Sequence, residues 1–205
     1  MPRAERIANE VLLQAGLELM RRNGKLLTKL PSKGRAMLFK LPDGQSVRAR
    51  TCNDHILIAV ADSSGEDAKL NIEGTDWLLI VMPEVERTHG NVLAYLVPTI
   101  EAVEEVRGTH RDWLATNPAT KGGNTTWNLW FDHEGSGKAN DYAEKWVQYR
   151  LEGMIATSEV ASNQAPPAGE AGGNLKAEVR AAQERIAGVA GVSPEAVRIS
   201  IDFGA

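Results

Sequence analysis

The sequence predicts a mixed α/β fold in which helices flank a central mixed sheet, with a small helix-strand module appended at its C-terminal end. Three observations predict it. Residues 77–82 and 92–97 are near-continuous apolar runs of strand length with a charged loop between them; helical periodicity brackets this strand-rich region; and a Pro/Gly/Ala-rich tract lies around residue 165. Apolar runs without alternation read as strands buried on both faces, so they form the centre of the sheet. With 205 residues, 42% of them apolar, the chain has room for one domain plus an appendage. The expected organisation is a mixed α/β domain over 1–156, a flexible linker over 157–173, and a helix-strand module over 174–205.

Each element has its own signal. Over residues 3–22, Ile7, Val11, Ala15 and Leu19 recur at helical spacing, and Asn23-Gly24 supplies a stop. Residues 35–41 and 46–51 flank Pro42-Asp43-Gly44-Gln45, turn chemistry between the strands of a hairpin. In the second strand Val47 and Ala49 point one way and Arg48 and Arg50 the other, because side chains alternate across a pleated strand. Residues 56–61 are a further strand. Residues 62–74 read as a polar, exposed loop. A helix over 99–115 carries Val103, Val106, His110 and Trp113 on one stripe; a short strand at 127–131 and a helix bearing Tyr142, Trp146 and Tyr149 follow. The tract 157–173 is too poor in apolar surface to offset its ordering entropy and reads as a linker. Beyond it, Leu175, Val179, Ala182, Ile186 and Val189 make a helical stripe, and Val197, Ile199, Ile201 and Phe203 alternate as a strand. About 30 residues do not bury enough surface to stand alone, so this module is expected to dock on the main domain, a second copy or another protein, with its strand suited to edge addition.

Charge is segregated. The chain carries a net −4, yet residues 20–50 hold Arg21, Arg22, Lys25, Lys29, Lys33, Arg35, Lys40, Arg48 and Arg50 against the single acid Asp43. Such a stretch either attracts a phosphate backbone or an acidic partner, or is a solvated face paired with the protein's own acids. Both readings stand on the sequence.

Several chemistries lose support. The lone Cys52 has no partner for a disulfide or a thiolate metal site and reads as a small core residue. No two of His55, His89, His110 and His133 sit at the i, i+4 spacing of a helical zinc site. Asp132-His133-Glu134 precedes Gly135-Ser136-Gly137 and reads as a decorated turn in preference to a cation site. No nucleophile elbow, phosphate-binding loop or dinucleotide fingerprint occurs. Of the five tryptophans, Trp130, beside Trp127 near a loop, is the one placed for an exposed role. No segment is apolar over a membrane-spanning length and no apolar leader precedes the first helix, so a cytoplasmic protein without membrane contact is expected.

Three stretches carry a resemblance: Val47-Arg48-Ala49-Arg50-Thr51 closing the hairpin, Asp76-Trp77-Leu78-Leu79-Ile80-Val81, and Tyr95-Leu96-Val97-Pro98 leading into a helix. Together they resemble the PD-(D/E)XK nuclease superfamily, over about a third of the chain. The resemblance implies a restriction-endonuclease-like fold. Members that cut DNA place a carboxylate two positions before a lysine to hold Mg²⁺; here Arg48 and Arg50 stand at those places, and two arginines do not bind Mg²⁺. It therefore implies a copy without nuclease activity, whose arginines contact phosphate as bidentate donors. The C-terminal module resembles short tails of proteobacterial proteins.

The leading expectation is a non-catalytic nucleic-acid-binding or regulatory protein that contacts DNA or RNA through Lys25, Lys29, Lys33, Arg35, Arg48 and Arg50, with no cofactor and no metal. A second is a protein-interaction or assembly module acting through residues 174–205 on a protein partner or in a homo-oligomer. A third is a divergent Mg²⁺-dependent nuclease using Asp43, Asp54 or Asp76.

Overall fold

The computed structural model describes residues 5–32, 36–65, 67–117, 124–131 and 141–164, together with residues 180, 183, 186, 187, 193 and 196–199. By contacts the chain divides into Met1–Gln164 and Ala165–Ala205.

The first unit is mixed α/β, as the sequence predicts. Helix α1 (Asn9–Arg22) leads into strands β1 (Thr28–Lys29), β2 (Met37–Lys40), β3 (Ser46–Thr51) and β4 (Ile56–Val60), then β5 (Trp77–Pro83) and β6 (Asn91–Pro98). Helix α2 (Thr99–Thr116), strand β7 (Thr126–Trp130), the short helix α3 (Tyr142–Lys145), a 3-10 turn (Val147–Tyr149), strand β8 (Ile155–Ala156) and helix α4 (Thr157–Gln164) complete it. Six strands form one sheet in the order β1-β2-β3-β5-β6-β8, and β4 pairs with β7 in a separate two-stranded sheet. All pairings are antiparallel except β3 with β5, which run parallel in the register Arg48↔Leu78 and Arg50↔Ile80.

Two cores sit on opposite faces of the large sheet. Leu12, Ala15, Leu19 and Met20 of α1 pack with Val47, Ala49, Leu79, Val81, Ala94 and Leu96. On the other face Ala102 and Val106 of α2 join Leu57, Leu78, Ile80, Met82, Tyr95, Trp127, Phe131, Tyr142 and Trp146. The alternation of β5 explains the split, since odd and even residues leave a strand on opposite sides. Both neighbours of β5 in the sheet are strands and both its faces are covered, which is why its sequence is apolar throughout.

Local chemistry ends α1 where the sequence places its stop. Gly24 takes φ +72°, and Lys25 donates its amide to the Met20 carbonyl at 2.8 Å. Asn23 donates to the carbonyls of Leu19 at 2.8 Å and Glu152 at 3.0 Å, and accepts from the Glu152 amide at 2.9 Å. Gly16 lets the helix lie close on the sheet: a Cβ built there would meet Val81 Cγ2 at 2.3 Å.

Three expectations change. Residues 62–74 are not simply exposed, because Ala68, Leu70 and Ile72 are buried in the α2-side core, with the charged and polar residues between them facing out. The helix expected around Tyr142 to Tyr149 breaks at Trp146 into α3 and a 3-10 turn. The segment 157–164, expected within the linker, is helix α4; Val160 is buried against the α1-side core, and Thr157 receives the Gly90 amide on its hydroxyl at 3.2 Å. Its serine, threonine and asparagine content suggests a loop, and tertiary packing overrides that local preference.

In the second unit Arg180, Gln183, Ile186 and Ala187 are helical, in line with the predicted stripe. Gln183 donates its side-chain amide to the Val197 carbonyl at 2.8 Å. Val197, Arg198 and Ile199 are not in a strand; the other positions of the expected terminal strand, and the linker remainder 165–173, lie outside the described residues.

Candidate anion-binding site on β3

Strand β3 has an apolar and a cationic side. Val47 and Ala49 are buried under α1, so Arg48 and Arg50 leave by the face they share with Leu78 and Ile80. Both arginines are only partly exposed. Arg48 donates Nη2 to the Glu73 backbone carbonyl at 3.3 Å, and its Nε is buried without a partner. Arg50 is the more unusual residue: its Nε and Nη2 are both buried and neither meets an acceptor. No carboxylate among the described residues pairs with either guanidinium.

Those two nitrogens are one edge of the guanidinium fork. Elsewhere in the molecule Arg21 uses the same Nε–Nη2 edge to grip both carboxylate oxygens of Glu18. On Arg50 the edge is unmet. Burial lowers its basicity; Cys52 opposes the effect, and the neighbouring charge of Arg48 adds to it. Arginine keeps its proton under these conditions, so β3 carries two adjacent, incompletely compensated cations. Each buried donor left without an acceptor costs about 1–3 kcal/mol. Both arginines line a cleft of about 240 Å³ together with Asn9, Ala36, Met37, Ala49 and Thr51.

Of the remaining predicted contact residues, Lys25 and Lys29 are described. Lys29 is exposed on edge strand β1 opposite Phe39, and so lies on the α1 face, where it lines a broader groove with Leu13, Leu17 and Met37. Lys25 is exposed just after α1, beside Leu41, Trp77 and Leu96. Lys33 and Arg35 lie outside the described residues.

The three candidate carboxylates are each engaged locally. Asp43 accepts from the Gln45 amide at 3.0 Å within the β2–β3 turn. Asp76 accepts from the amide and the hydroxyl of Ser46, both at 2.7 Å, which lowers its pKa and fixes the start of the parallel β3–β5 pairing. Asp54 sits past the other end of β3, about 20 Å of strand away, and bridges Arg6 and Arg87. Burial pushes the Asp54 carboxyl up, but the bonds from Arg87 and Arg6 outweigh it and leave it below its usual value. Among the described residues no three Cys, His, Asp or Glu side chains form a group that could hold a metal ion; Asp132, His133 and Glu134 lie outside them. Cys52 is buried, and its thiol is pushed up to about 12, mainly by that burial, as befits a core residue.

Sequence reasoning misses two features. His110 stacks on Trp127 with ring centroids 4.2 Å apart and on Trp113 at 6.0 Å, a sandwich joining α2 to β7. Asp54 and its two arginines lie far apart in the chain, so only the fold reveals them. No helix among the described residues is long and apolar enough to cross a membrane. Compared with protein-family models, with curated proteins and with solved structures, the chain finds no match.

Proposed function

We propose that this protein is a non-catalytic nucleic-acid-binding protein that takes hold of phosphate through Arg48 and Arg50. The observation that carries the reading is the unmet Nε–Nη2 edge of Arg50 beside a second cation, with no carboxylate of the described chain on either. A guanidinium edge presents two parallel N–H donors at the spacing of two phosphate oxygens, and an anion there relieves both the unmatched donors and the mutual repulsion of the pair. The absence of a carboxylate cluster beside the arginines among the described residues favours holding over cutting.

Fluorescence anisotropy with labelled single-stranded DNA and RNA, measured across a salt series, tests the proposal. Binding that weakens with salt and is abolished by Arg48→Gln/Arg50→Gln, but not by Arg111→Gln on the exposed side of α2, is the expected result. Equal binding by the wild type and the double variant overturns it.

A further inference from the structure

The placement of charge around β3 says more about which phosphate fits, if the reading above holds. We infer that the site prefers a terminal phosphomonoester of a nucleic-acid strand to an internal phosphodiester. Two cations stand side by side here, and Arg48 disfavours the charge of Arg50. A phosphodiester brings one negative charge and two free oxygens. A monoester carries about −1.5 to −2 at neutral pH and three acceptor oxygens, enough to meet the Arg50 edge and still reach Arg48.

The surroundings point the same way. Met37 and Ala49 wall the cleft, and its volume of about 240 Å³ suits one phosphate group and its attached sugar better than a strand running through. A backbone track needs cations at successive phosphates. Among the described residues of the basic segment, Lys25 lies away from the cleft beside Leu41 and Trp77, and Lys29 borders the adjoining groove, where Glu10 offsets its charge, so neither extends the Arg48–Arg50 pair into a track. Few phosphate contacts also imply a shallow salt dependence.

The experiment compares short oligonucleotides of one sequence, fluorescently labelled at one end and carrying either a phosphate or a hydroxyl at the other, with inorganic phosphate as competitor. The phosphorylated strand is expected to bind about tenfold tighter, the difference worth one charge-assisted pair of hydrogen bonds, with a salt slope of about −1 to −2. Arg50→Met, shown to be folded by circular dichroism, is expected to erase the difference between the two strands. Inorganic phosphate is expected to compete only against the phosphorylated strand. Equal affinities with a steep salt slope would defeat this inference and leave nucleic-acid binding standing. Binding to neither strand, or to a phosphopeptide and neither strand, would remove both.

Discussion

Asn53 holds Ile7 by both backbone groups: its Oδ1 accepts from the Ile7 amide and its Nδ2 donates to the Ile7 carbonyl, each at 2.9 Å and both in a buried setting. This pair of bonds ties the segment before α1 to the β3–β4 turn, 46 residues away in sequence. Asn53→Ala leaves a buried donor and a buried acceptor without partners, so a loss of about 2–4 kcal/mol in urea unfolding is expected. Asn53→Asp keeps the acceptor but sets an oxygen against the Ile7 carbonyl and buries a charge, and is expected to lose at least as much as the alanine variant.

Gly16 makes a different kind of demand. In an exposed helix Gly→Ala gains about 1 kcal/mol, but here the new methyl would stand 2.3 Å from Val81 Cγ2. Gly16→Ala is therefore expected to destabilise by about 1–3 kcal/mol through overpacking. Adding Val81→Ala makes room, so the double variant should be more stable than the sum of the two single losses predicts. Thermal unfolding of the four proteins measures that coupling.

Arg50 separates a binding role from a structural one. If its guanidinium served the fold, shortening it would cost stability. With unmatched donors and no counter-charge, Arg50→Met keeps the aliphatic stem and removes the burden, so the variant is expected to match or exceed the wild type by up to about 1–2 kcal/mol in phosphate-free buffer. Added phosphate should raise the wild-type midpoint and leave that of the variant unchanged. Calorimetric scans with and without phosphate make the comparison.

Acid sensitivity follows from two carboxylates. Glu18 falls from its ordinary 4.5 to about 2, chiefly because Arg21 donates to it, with Arg22 assisting; Asp54 is lowered by Arg87 and Arg6 against the effect of burial. A depressed folded-state pKa gives stability that is complete above the unfolded value and is lost as pH falls through the folded one. Stability should therefore decline below about pH 4.5 and toward pH 2. Asp54→Asn should flatten that decline in pH-dependent urea titrations, and Glu18→Gln, on a more solvent-screened pair, should flatten it less.

Much of the fold was legible because it rests on local pattern. The apolar runs of β5 and β6, the Pro42-Asp43-Gly44-Gln45 turn, the Asn23-Gly24 stop and the alternation of β3 each report one residue's immediate chemistry. What escaped depends on partners distant in sequence. Ala68, Leu70 and Ile72 looked like an exposed loop because three small or branched residues do not announce the core they enter. Helix α4 looked like linker because its stability comes from α1 and β8 and not from its own composition. The candidate site was half legible. Alternation put Arg48 and Arg50 together, but whether the protein's own acids neutralise them is settled only by where Glu73 and Asp54 end up, and those turn to Arg107 on one side and to Arg6 and Arg87 on the other.

The parallel pairing of β3 with β5 sets when these arginines become buried. Between the two strands the chain departs through β4, wraps Leu70 and Ile72 into the far core and returns at Asp76. Closing such a detour costs entropy before any contact rewards it. The Arg50 edge consequently becomes buried only after the whole circuit has closed, so a chain cleaved between residues 62 and 67, though it retained every basic residue, would be expected to lose that burial as the circuit loosened.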